Sequence, residues 1–233
     1  NTNSAFIEWK GGTLSATATD GHRLTHIELP VDGLASDPLG TNEMMLRRND
    51  LRMFRALLEQ GLREERKEVR LHYGNGTAGV VIGEVHAMAR LTDGVFPPWR
   101  QAIPPTWRRR FLVDRAKLLD SISAVMITDR ETMNLEVRAD GKELFIRADN
   151  ASSGDAGDAL DILDRTIEKG IDTACTLKVS PKYAKEAVSA FDGEQIALCV
   201  TVDGRDMLFL ARADEKPSFP GQCTHLSLIM PMS

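Results

Sequence analysis

The chain contains few cysteines, and their positions exclude the usual uses of that residue. Cys175, Cys199 and Cys223 are odd in number, far apart and not part of any C-x-x-C pair. Neither a disulfide scaffold nor a zinc site is therefore indicated. We expect no metal, no cofactor and a reducing, cytoplasmic compartment.

Long hydrophobic runs are also missing, and no charged-then-apolar leader is visible. No apolar stretch reaches the roughly 20 residues that a membrane-spanning helix needs. Hydrophobic residues make up 42% of the 233 residues and charged residues 27%, ordinary values for one large or two small globular domains. The formal net charge of -5 argues against a general nucleic-acid binder. The placement of the basic residues therefore matters more than their number.

The second half of the chain predicts a complete series of strands and helices. Residues 111–125 read as a strand that leads into an amphipathic helix over 114–127, and residues 134–150 as a hairpin about Asp140-Gly141. A loop rich in glycine, serine and aspartate follows at 151–158. The later predictions are a strand at 158–164, a strand at 173–180, a helix at 181–191 with Pro181 in its first turn, a hairpin about Asp203-Gly204 and a last strand at 225–232.

The first half repeats this order. Its predicted elements are a hairpin at 5–20 about Gly11-Gly12, a strand at 23–30, a strand and helix at 43–61 with Asn49 as N-cap, a hairpin at 68–83 about Asn75-Gly76 and a strand at 86–91. The segment 93–110, rich in proline and arginine, joins the halves and predicts domains at 1–105 and 106–233.

The first repeat has no counterpart of the strand and helix at 111–127. A sheet without those elements exposes apolar surface and an unpaired edge. We therefore expect either further residues upstream or another chain to fill the gap.

Three short strings in the right order carry a family resemblance. They are Thr19-Asp20-Gly21-His22-Arg23-Leu24, DGVFPPWRQAIP at 93–104, and Met230-Pro231-Met232. They resemble the T-D-G-H-R-L signature, the D-G-R-F-P-D-Y-R-R-V-L-P linker and the C-terminal M-P-M of the beta sliding clamp of bacterial DNA polymerase III. The resemblance covers essentially the whole chain and begins inside the family's second domain.

The resemblance implies an α+β fold of DNA-clamp domains, with antiparallel sheets outside and helices lining a DNA-sized hole. It implies a non-catalytic processivity factor, associated with the nucleoid, that encircles double-stranded DNA without reading its sequence. The implied protein partners are DNA polymerase subunits and the clamp loader, bound through short linear peptides, with no membrane contact. A full-length clamp closes as a homodimer, and two-domain subunits would reach the same six domains as a trimer.

Basic residues on the predicted helices are the candidates for the DNA-facing surface. A clamp needs an inner face that contacts phosphates and no base edges. Arg48, Arg52 and Arg55 share one helix face, while Leu51, Phe54 and Leu58 share another that we expect to pack on a sheet. The remaining DNA-facing candidates are Arg115, Lys117, Lys182 and Lys185. The alternative for each is an ordinary solvated helix face.

The resemblance also implies a peptide-binding cleft between the family's second and third domains. The matching positions are Thr19, Gly21, His22, Arg23, Leu24, Pro97, Leu228, Met230, Pro231 and Met232. Apolar members of this set suit the anchors of an extended peptide, and methionine adapts to varied ligands. Leu228 and Met230 could instead be core residues of a last strand, and His22 a structural hydrogen-bonding residue.

The chain departs from the family's pattern at several cleft positions. Gln101 stands where a second linker arginine is common, and Ala102 where a bulkier apolar residue is usual. Thr2 falls on an apolar pocket position, and Lys182 replaces an expected aromatic, for which Tyr183 is the substitute after a small shift. These departures favour a divergent clamp with a different peptide preference or weak binding.

Two other functions fit parts of the sequence. Asp20 and His22 could orient one another for acid–base catalysis, with Cys175, Cys199 or Ser4 as nucleophile. However, no nucleophile elbow, phosphate loop or metal-ligand cluster appears. The second alternative is a clamp-derived interaction module that binds partner peptides without encircling DNA.

Overall fold

The computed structural model describes residues 3–31, 42–103, 107–148, 157–201, 207–215 and 224–232. The chain forms two compact units that interleave in sequence. The first comprises Asn1–Asp20 and Glu28–Trp99, and the second comprises Gly21–Ile27 and Arg100–Ser233. The predicted domains at 1–105 and 106–233 stay a prediction.

The described residues of the first unit form one α-helix and two antiparallel groups of strands. Its elements are β1 (Ser4–Lys10), β2 (Thr13–Thr19), the end of β3 (Arg23–Pro30), β4 (Glu43–Arg47), α1 (Arg48–Arg63), β5 (Arg70–Gly74), β6 (Thr77–Ile82) and β7 (Val85–Arg90). Strand β1 lies between β2 and β4, and β6 lies between β5 and β7. The described elements of the first half thus follow the predicted order.

Two hairpin turns of the first unit form where the sequence places them. Gly11 and Gly12 have φ values of 59° and 81°, and Asn75 and Gly76 have values of 51° and 72°. Positive φ at both central residues defines the tight turn whose twist matches the flanking strands. Glycine and asparagine tolerate this conformation, which explains why the hairpins could be read from the sequence.

Two predictions for α1 are wrong in detail. The helix begins at Arg48, so Arg47 and not Asn49 is the N-cap, and no side chain caps it. Leu58 is 36% exposed, whereas Phe54 and Leu57 are buried. The stripe that packs on the strands therefore runs through positions 54, 57 and 61, the usual three- and four-residue helical spacing.

In the part of the second unit that the structure describes, there are two α-helices and two antiparallel groups of strands. Its elements are β8 (Arg109–Asp114), α2 (Arg115–Thr128), β9 (Met133–Val137), β10 (Glu143–Ala148), β11 (Gly157–Asp161), β12 (Asp164–Ile167), β13 (Cys175–Val179), α3 (Pro181–Ser189), β14 (Gln195–Val200), β15 (Leu208–Arg212) and β16 (His225–Ile229). One group has the order β12-β8-β14-β15-β16-β3 and the other β11-β10-β9-β13. Helices α2 and α3 pack against each other.

Most predictions for this unit are confirmed, but the last strand ends at Ile229 and not at 232, and the region 157–167 differs from its prediction. The predicted strand at 158–164 is divided into β11 and β12, and residues 157–158 lie in a strand and not in a loop. The rest of the predicted loop, and the Asp203-Gly204 turn, lie outside the described residues. The core is built from fully buried side chains of both helices and both strand groups, including Phe111, Leu118, Ile122, Met133, Ile146 and Leu210.

The two repeats also differ in the surroundings of one strand. In the second unit, β14 lies between β8 and β15, and every β14 residue except Gln195 is buried. Its counterpart β5 has only β6 beside it in the described part of the chain, and Leu71 and Tyr73 are 48% and 36% exposed. The expected unpaired edge is therefore present in the first unit.

None of the helices in the described ranges combines the length and the apolar character that crossing a membrane requires.

Candidate functional site

The signature residues stand at the turn that enters β3. Strand β2 ends at Thr19, in the first unit, and β3 begins at Arg23, in the second. Gly21 lies between them with a φ of 89°, and a Cβ there would meet nothing within 4 Å. The turn therefore requires glycine for its backbone conformation and not for space.

In the second unit, the C-terminal tail lies against the signature residues. Strand β16 pairs with β3 so that Leu228 faces Leu24. Beyond the strand, the Met230 backbone N–H donates to the His22 carbonyl at 2.9 Å, and the Met232 N–H donates to the Lys178 carbonyl at 2.8 Å. The structure thus brings together two of the three strings that carry the family resemblance.

The residues of this junction differ in exposure. Leu24 and Leu228 are only 3% and 2% exposed, which agrees with the alternative that Leu228 belongs to the core. Met232 is 38% exposed, and Met230 and Pro231 are half-buried. The surface available to a ligand therefore comes from the tail beyond β16, with Leu24 and Leu228 beneath it.

An aromatic and charged cluster lies at the same place. The Arg23 guanidinium is 4.4 Å from the centre of the Tyr183 ring, and its Nη1 donates to Glu186 Oε2 at 2.5 Å. The His22 ring stacks at 6.4 Å from the same tyrosine. Glu186 was not predicted as a site residue from the sequence, although its position three residues after Tyr183 places both on one face of α3.

Thr19 and Pro97, the other predicted cleft residues, lie in the first unit and are half-buried there. The Pro97 carbonyl accepts a hydrogen bond from the Trp99 backbone N–H at 2.7 Å. Gln101 and Ala102 are exposed at the end of a short 3₁₀ turn, Trp99–Ala102. The prediction on Thr2 lies outside the described residues.

The predicted DNA-facing residues of the first unit form one exposed surface on α1. Arg48, Arg52 and Arg55 are all exposed, on the side of the helix away from buried Phe54. Arg55 Nε donates to Glu59 Oε1 at 2.7 Å, so its charge is partly compensated. Three arginines within two helical turns can contact successive phosphates of a nucleic acid.

The predicted basic residues of the second unit lie on two helices that contact each other. Lys117 and Lys182 are exposed, and Lys185 is half-buried. Arg115 Nε donates to the Gly193 carbonyl at 2.7 Å, which fixes its guanidinium near the start of α2. The lysines are therefore more available to a charged partner than Arg115.

The catalytic alternative finds little support in these positions. Cys199 is fully buried within β14, and Ser4 is 8% exposed. A nucleophile must reach its substrate, so neither side chain suits that role. Within the described ranges, no group of histidine, cysteine, aspartate and glutamate is placed to hold a metal ion.

Comparison of the sequence with known proteins finds relatives of one kind. The chain is 26% identical over 222 residues to the beta sliding clamp of Pseudomonas aeruginosa, covering 89% of this chain and 56% of that protein. It is 21% identical over 200 residues to the beta sliding clamp of Escherichia coli, covering 85% and 51%. The chain therefore spans about half the length of the curated relatives it matches. No protein-family model matches the chain.

Solved structures show the same likeness in the fold. A Pseudomonas aeruginosa sliding clamp bound to griselimycin superposes with a TM-score of 0.81 at 21% identity, covering 99% of this chain and 57% of that one. The Bacillus subtilis DNA polymerase sliding clamp gives a TM-score of 0.83 at 18% identity, covering 100% and 57%. The predicted α+β fold with antiparallel sheets is thereby confirmed, and the chain is similar to bacterial beta sliding clamps in sequence over most of its length and has their domain fold.

Proposed function

We propose that this chain is part of a sliding clamp that encircles double-stranded DNA and tethers polymerases through a peptide-binding cleft. The observation that carries the proposal is the exposed basic face of α1 within a clamp fold. A ring that slides needs contacts to phosphates that carry no sequence information. Arginines on a regular helix supply such contacts, because their guanidinium groups bind phosphate oxygens whatever the base sequence.

The basic residues are not expected to contribute equally to DNA contact. Arg48, Arg52 and Arg55 are all exposed, but Arg55 forms an ion pair with Glu59. In the second unit, Lys117 and Lys182 are the exposed members. A net charge of -5 is compatible with this role, because a sliding clamp needs positive charge only where it faces DNA.

The peptide cleft belongs to the same proposal. Its second-unit part consists of Met230, Pro231 and Met232 beside His22 and Arg23. Exposed methionine offers an adaptable apolar surface, and the backbone beyond β16 fixes its position. The polymerases and the clamp loader are the proposed partners of this surface.

The DNA contact is tested by salt titration of binding to a plain duplex. Replacement of Arg52 by alanine should weaken binding slightly and reduce the salt slope by about 1, because one phosphate contact is lost. Arg90 on β7 is the matched control. It is exposed and follows buried Ala89, so it points to the face of its sheet opposite α1.

An unchanged salt slope in R52A, or an equal reduction in R90A, would contradict the proposed DNA-facing surface. Equal loss in both variants would indicate a general effect of net charge and not a localised one.

The cleft is tested with griselimycin, the ligand named for the Pseudomonas clamp. In a chain with ¹³C-labelled methionine methyl groups, the compound should shift the Met230 and Met232 signals. Met53 on α1, 40% exposed against 38% for Met232, is the control and should not shift. Equal shifts at Met53 and Met232 would argue against a ligand site at the tail.

Ring closure requires other copies or further domains, since the chain spans about half of its relatives. Native mass spectrometry of this chain with and without DNA distinguishes monomer, dimer and trimer. A persistent monomer that binds griselimycin but not DNA would instead support the alternative of an interaction module that does not encircle DNA.

A further inference from the structure

We draw no further inference here: the strongest candidate, the exposed apolar side chains of Leu58 and Leu62 on α1 and of Leu71 on the edge strand β5 in the first unit, carries nothing because no element in the described part of the chain shows what covers this surface.

Discussion

Leu24 and Leu228 face each other across β3 and β16, and both are almost completely buried. Leu24 is the last residue of the first string that carries the family resemblance, and Leu228 lies two residues before the third. The signature and the C-terminal strand therefore meet at a buried pair of leucines. The consequence is a division of roles along the tail. Leu228 is buried at the junction, while Met232, four residues on, is 38% exposed.

Leu228→Ala and Met232→Ala should therefore affect different quantities. Removal of a buried leucine side chain costs about 2–5 kcal/mol of unfolding free energy, whereas truncation of an exposed side chain stays within about 0.5 kcal/mol. Denaturant unfolding measures both changes in stability. If the proposed cleft binds griselimycin, M232A should also weaken binding of that compound, which titration measures. A large loss of stability in M232A, or none in L228A, would contradict the division.

Side chains on the exposed strand β5 should contribute less to stability than those on its buried counterpart β14. Leu198 on β14 is 3% exposed, whereas Leu71 on the counterpart strand β5 is 48% exposed. Leu198→Ala should cost about 2–5 kcal/mol of unfolding free energy, and Leu71→Ala less than about 1 kcal/mol. Guanidinium unfolding of the two variants checks this. Equal losses would show that another segment covers β5 in solution.

The start of α1 offers a stabilising substitution. Arg47 is the N-cap residue but its side chain forms no capping bond, whereas Asp114, at the equivalent place before α2, accepts from the Lys117 backbone N–H at 2.8 Å. Arg47→Ser should raise the unfolding free energy by about 0.5–1 kcal/mol, because serine accepts a free N–H of the first turn. Thermal unfolding measures the change.

The reverse experiment is the control for that substitution. Asp114→Ala should lower stability by about 1 kcal/mol through loss of the existing cap. Asn49→Ala, at the wrongly predicted N-cap, should change stability little, because Asn49 is exposed within the helix. A large loss in N49A would contradict the helix start described here.

Hairpins and helices were readable from the sequence because their signals are local. Asn75-Gly76 supplies the backbone angles of its turn whatever the rest of the chain does, and Pro181 suits the first turn of α3. The helix N-cap at Arg47 could not be predicted in this way. It is set by where β4 ends, and β4 is fixed by pairing with β1.

The site was predictable only as far as the family strings extend. His22, Arg23 and Met230 come from those strings, and the structure brings them together. Glu186 lies outside every string, and its bond to Arg23 joins residues far apart in the sequence. Such a contact follows from the packing of α3 beside β3 and β16, which residue spacing alone does not encode.

We expect His225 to make the stability of the chain depend on pH. Its ring stacks on Phe191 with centroids 3.8 Å apart and planes inclined by 6°, and its Nε2 atom is buried with no partner among the described residues. Burial lowers the pKa of this histidine from 6.5, with Glu215 and Asp192 opposing the change and Arg212 adding to it. The folded protein therefore favours the neutral ring.

The direction of the pH effect follows from that lowered pKa. As pH falls below about 6.5, the unfolded chain binds a proton at His225 that the folded chain binds only at lower pH. The contribution of His225 is thus complete above about 6.5 and declines as pH falls toward the lowered pKa of the folded state. Urea unfolding at pH 7.5 and 5.5 should show a smaller pH-dependent loss in His225→Phe, which keeps the stack on Phe191. His86→Phe, at an exposed position on β7, should keep the original pH dependence, and an equally reduced loss in both variants would refute the assignment to His225.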